Sequence, residues 1–131
     1  MEFPVGKGKC RICLIGIPTD GGLIVGVFGR DKPHVGAVAI GIPRPSLKDP
    51  SKLSATSSVF TMTSHKDDEI ARPASEKIAK GLNQTAVVIA GVHVEGASEN
   101  EIKELLTNAD KAVDRLLAKF VTPICRPKGK S

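Results

Sequence analysis

The chain alternates short apolar runs, the length of strands, with two stretches of helical spacing. Residues 10–17, CRICLIGI, are apolar and β-prone, and Thr19-Asp20-Gly21-Gly22 follows as a hairpin turn in which Asp and Gly take positive φ at little cost. Leu23 to Phe28 is the returning strand. Gly29-Arg30-Asp31-Lys32-Pro33 breaks the pattern, and His34 to Ile42 then reads as a third strand of small residues, where glycine lets another group approach the backbone. A Pro-rich loop, Pro43 to Lys52, leads to a fourth strand, Ser54 to Thr63, whose hydroxyls and β-branching suit one polar face.

Ile70, Ala74, Ile78 and Leu82 recur every four residues and predict a helix whose first turn lies between Asp68 and Pro73, with Gly81 as its C-cap. Thr85 to Val94, TAVVIAGVHV, is the most apolar strand and the expected centre of the sheet. Ser98 and Glu101 have capping-box spacing ahead of a long apolar face, Ile102, Leu105, Ala109, Val113, Leu116 and Phe120, which Pro123 ends. The order ββββαβα predicts an α+β fold: a mostly antiparallel sheet of five or six strands with two helices on one face. Residues 1–125 are expected to form one domain and 126–131 a basic flexible tail.

Composition narrows the class. With 131 residues, 40% hydrophobic and 25% charged, the chain can bury a core without metals or disulfides. Its net charge of +5 comes partly from Lys7, Lys9 and Arg11 at the start and Arg126, Lys128 and Lys130 at the end, the pattern of solvated tails. Nucleic-acid binders usually add aromatics for stacking, and here there is no Trp or Tyr and only four Phe. No apolar run is long enough to span a bilayer, and no secretion signal is visible. Together with three cysteines, an odd number, this points to the reducing cytoplasm.

All three histidines sit in polar clusters at the ends of predicted elements: Asp31-Lys32-Pro33-His34 with Gly36, Ser64-His65-Lys66-Asp67-Asp68 with Arg72, and His93 with Glu95. In the second cluster, Ser64, Asp67 or Asp68 can cap the helix, and Arg72 can pair with Asp68 four residues back. His65 and Lys66 remain as donors just before a helix start, where a phosphate could sit. Arg44 lies between prolines in PRPS, ahead of Ser46, and a guanidinium so held suits a phosphate or carboxylate, although a rigid surface loop with a solvated Arg explains it slightly better.

His34, His65 and His93 could also ligate a metal or supply a general base, but they lack close motif spacing and no matching nucleophile is in view. Cys10 and Cys13 form a CxxC that Cys125 could join. On a strand, positions three apart face opposite sides, and a redox CxxC usually opens a helix. Gly6-Lys7-Gly8-Lys9 lacks P-loop spacing.

The segments DKPHVGAVAIGIPRPS (31–46), SATSSVFTMTSHKDDEIARPASEKIAK (54–80) and VVIAGVHVEGASENEI (87–102) resemble the prenylated-flavin chaperone family of the LpdD type, associated with gallate decarboxylase. That family is a distant relative of proteasome assembly chaperones. The resemblance implies a binding protein, not an enzyme, that holds reduced prenylated flavin mononucleotide, or flavin mononucleotide itself, and assists UbiD-type decarboxylases. It also implies a sheet-and-two-helix fold that forms homo-oligomers, dimers or assemblies of dimers.

Chemistry then assigns expected roles toward the ligand. Arg44, Ser46, His65 and Lys66, with Asp67 and Arg72 beside them, would hold the phosphate, while His34, Gly36, the small-residue strand to Gly41 and His93 would line the ring. Phe28 and Phe60 are the aromatics nearest these motifs. The alternatives are a protein-assembly chaperone that docks an acidic partner and a small metal-dependent enzyme using the three histidines.

Overall fold

The computed structural model describes residues 1–62 and 66–121. Its elements run β1 (Glu2–Val5), a 3-10 turn (Gly8–Cys10), β2 (Ile12–Thr19), β3 (Gly22–Gly29), β4 (Ala37–Pro45), β5 (Leu53–Thr61), α1 (Asp68–Leu82), β6 (Thr85–Gly91) and α2 (Glu99–Val121). The expected α+β class and two helices are present, with one further strand, β1, ahead of the predicted four. The sheet order is β1-β2-β3-β6-β4-β5, so β6 is interior as its apolar sequence requires. Every neighbouring pair is antiparallel except β3 and β6.

Several boundaries differ from the sequence reading for identifiable reasons. His34, Val35 and Gly36 precede β4 instead of belonging to it, and the strand continues through Pro43-Arg44-Pro45. The prolines are tolerated because β6 pairs with β4 only as far as Gly41, leaving Pro43 and Pro45 with β5 alone. Gly81 is not the cap of α1. Asn83 takes the left-handed conformation that ends the helix (φ 53°), while Gly81 lies inside, where a Cβ would press on Leu117 of α2. Cys10 belongs to the 3-10 turn and not to a strand.

The helices cover one face. α1 packs on β4, β5 and β6, and α2 on β1 and β2. Alternation sends Ile12, Leu14, Val25, Val27 and Val88 into the core, where all are fully buried. Gly41 faces α1 so closely that an added Cβ would collide with the Ser75 carbonyl. The expected capping box starts α2: the Ser98 N–H donates to Glu101 Oε1 at 2.9 Å, and the Glu101 N–H donates to Ser98 Oγ at 3.1 Å. Lys9 reaches Glu101 Oε2 at 2.5 Å and holds its carboxyl below the ordinary range.

The opposite face carries Ile15, Ile17, Ile24, Val38, Ile40 and Ile42 among others, and no helix among the described residues covers it. Ile17 is 54% exposed and Ile42 53%. No helix among the described residues is long and apolar enough to cross a membrane.

β3 and β6 end, and β4 begins, at the same end of the sheet, so residues 30–36, 92–98 and 66–67 share one rim. Buried Asp67 fastens them together. It stands at the N-cap position of α1 but makes no side-chain cap; instead Oδ1 accepts the Val92 N–H at 2.9 Å, and Oδ2 lies 3.4 Å from His34 Nε2. His34 Nδ1 donates to the Lys32 carbonyl at 2.7 Å. Gly36 passes under Asp67, and Gly91 under the His34 carbonyl, with no space for a Cβ at either.

Two substitutions test this packing. Gly41→Ala should cost about 1–3 kcal/mol by overpacking, read as a lower urea midpoint; an unchanged midpoint would mean that α1 does not press on β4. Asp67→Ala should cost about 1–3 kcal/mol and speed amide exchange at Val92. Unaltered protection of Val92 would mean that Asp67 does not fasten the rim.

Candidate functional site

The rim brings together side chains that lie far apart in sequence. His34 and His93 line one open cavity of about 440 Å³ with Lys32, Pro33 and Val35. His93 also borders a second cavity, of about 330 Å³, between the start of α1 and the start of α2, where Lys66, Asp67, Glu69, Ile70 and Leu105 contribute. His93 therefore separates two concavities at the end of the central strand. Its Nε2 is 3.1 Å from Oε1 of exposed Glu95.

The expected site divides. His34, Gly36, Lys66, Asp67 and His93 gather at the rim, and His65 lies outside the described residues. Arg44 and Ser46 are at the far end of β4, eight residues beyond Gly36, roughly 25 Å away along an extended strand. Within one chain they cannot grip a phosphate that Lys66 also holds.

Arg44 is moreover engaged: Nε donates to Thr56 Oγ1 at 2.6 Å and Nη1 to the Pro45 carbonyl at 3.0 Å. Ser46 Oγ accepts the Lys48 and Asp49 N–H groups and shapes the β4–β5 loop. Arg72 is exposed on α1 and makes no ion pair with Asp68; its carbonyl accepts the Ser75 hydroxyl.

The small-residue strand also has a different use. Ala37, Ala39 and Gly41 are buried on the helix side, where they admit α1, while the open side of β4 presents Val38, Ile40 and Ile42. No flat ring can lie against its small residues.

No three His, Cys, Asp or Glu side chains converge as a metal site among the described residues. The CxxC thiols lie on different sides of the sheet. Cys10 is buried, with its pKa pushed up by desolvation, whereas Cys13 is half-buried opposite Phe28. Cys125 lies outside the described residues.

The rim's donor set fits a phosphorylated flavin. Imidazoles and lysines can hydrogen-bond ring carbonyls and anionic groups, and the neighbouring sheet face offers apolar contact for a prenyl substituent. The cavity is at the small end for such a ligand and is open to solvent.

Comparison with known proteins agrees with this architecture. No curated protein matches the chain. A crystal structure of a chaperone complex for yeast 20S proteasome assembly superposes with a TM-score of 0.57 at 14% identity, covering 88% of this chain and 92% of that one. At that identity the likeness is one of fold. The family model of the prenylated flavin chaperone LpdD-like domain matches residues 6–121, nearly the whole described chain. The family is one of chaperones and not of enzymes, and this chain belongs to it: it is a member of the prenylated flavin chaperone LpdD-like family.

Proposed function

We propose that this protein binds reduced prenylated flavin mononucleotide at the rim and passes it to a UbiD-type decarboxylase. The observation that carries the reading is the meeting of His34 and His93 on one cavity within a chain of this family. The Lys32 carbonyl accepts from His34 Nδ1, and Asp67 lies 3.4 Å from Nε2, so the ring is held at a set angle to the cavity. The uncovered sheet face beside it excludes water once covered. When bound, the cofactor supplies the flavin chemistry that the decarboxylase uses; the chaperone needs only to hold, shield and release it in the cytoplasm.

The same face supports a homodimer. Two sheets packed face to face would bury the row from Ile15 to Ile42, an apolar expanse of the kind that marks protein interfaces. That face also favours the second reading, a protein-assembly chaperone whose partner is another protein.

An anaerobic titration with reduced prenylated flavin mononucleotide, followed by desalting and a visible spectrum, decides between them. Retention is expected, with His93→Ala weakening it about tenfold, the loss of roughly one hydrogen bond to a charged group. Arg44→Ala should bind as the native chain does. If no ligand is retained, the assembly reading takes over. In sedimentation equilibrium the native chain should be dimeric and Ile24→Asp monomeric; a native monomer would remove the dimer.

A further inference from the structure

Arg11 and Arg30 have no role in the site described so far. β2 and β3 are antiparallel with Ile12 opposite Gly29, so one step past the ladder these arginines stand across from each other. Ile12 points into the core, and alternation therefore puts Arg11 and Arg30 on the open face, beside the Cys13–Phe28 pair.

Like charges directly opposite on an antiparallel pair repel. Among the described residues, neither guanidinium has a carboxylate or hydrogen-bond partner to offset this. Arg44, by contrast, has two hydrogen bonds of its own.

The two arginines line one open cavity of about 320 Å³ with Gly8, Cys13 and Gly29. β3 and β6 run parallel with Phe28 level with Gly91, which carries Arg30 level with His93. Val92 packs on Gly29 between them. From Arg11 across Arg30 to His93 is two strand spacings, about 10 Å. The Phe28 ring lies back over Gly26 on the same face.

We propose that Arg11 and Arg30 form a phosphate-binding subsite for a phosphomonoester whose attached ring extends along the rim toward His93. On the flavin reading, from which the identity of the ring is taken, the group held is the phosphate of the flavin nucleotide. Each guanidinium can offer two parallel N–H donors to a phosphate dianion, which converts the repulsion of the free pair into attraction.

The test compares the native chain with Arg11→Gln, Arg30→Gln and the double variant in calorimetric titrations with inorganic phosphate and with reduced prenylated flavin mononucleotide. Circular dichroism melts accompany each protein. Phosphate binding by the native chain should be lost in the double variant, and nucleotide affinity should fall about tenfold for each arginine removed. The ligand-free double variant should melt no lower than the native chain, because a repulsion has gone.

Nucleotide binding that survives intact in the double variant overturns the subsite and leaves the chaperone reading standing. Phosphate binding without any flavin binding upholds the subsite and retires the flavin reading. A native chain that binds neither overturns both. If the glutamine pair fails to fold, Arg11→Lys with Arg30→Lys replaces it: the charge stays, the fork goes, and unchanged phosphate affinity would overturn the proposal.

Discussion

The parallel pairing of β3 with β6 decides where every polar loop goes. Between these strands the chain inserts β4, β5 and α1, then returns β6 to lie beside β3 and antiparallel to β4. A strand that returned in the opposite direction would carry residues 92–98 to the far end, beside the β4–β5 loop. As built, the ends of β3 and β6, the start of β4 and the start of α1 meet at one rim. A buried carboxylate, Asp67, is placed where it can accept the Val92 N–H and face His34. Leaving such a donor unpaired inside a protein is costly, so the bracket holds the rim loops to one arrangement.

Close approach of α1 to the sheet depends on small residues. Ala37, Ala39, Ala86 and Ala90 are fully buried beneath it, and Gly41 receives the Ser75 carbonyl. The strand that reads in sequence as a floor for a flat ring is therefore a seat for a helix. Val38, Ile40 and Ile42 of β4, with Val87 and Ile89 of β6, lie on the other face and give that side its apolar character.

Sequence carries the fold further than the site. Period-two and near-four spacings give the strands and helices, the capping box gives the start of α2, and the apolar run at 85–94 gives the centre of the sheet. β1 escapes because EFPV is four residues containing a proline, a signal that only an edge strand permits. The limits of β4 escape because the tolerance for Pro43 and Pro45 depends on β6 stopping at Gly41, a fact of the register. Likewise, spacing shows that Arg44 and Lys66 bear cations near element ends, but not that the ends are opposite ones. Asp67 reads as a helix cap in sequence; its true partners come from 25 and 33 residues away.

What distinguishes a binding side chain from a structural one is whether the fold has already satisfied it, and this is invisible in sequence. Arg44, between prolines, reads as preorganised for an anion, and the fold uses it to bind Thr56 and a neighbouring carbonyl. Arg11 and Arg30 read as a tail residue and a turn residue, and the register sets them face to face without an acid. An anion is the simplest group that would relieve them. A ligand held by that pair would sit beside Ile15, Ile17 and Ile24, since β2 and β3 contribute both the arginines and these residues. A second copy on that face would lie against the bound ring, so ligand and partner would each strengthen the binding of the other by the same factor.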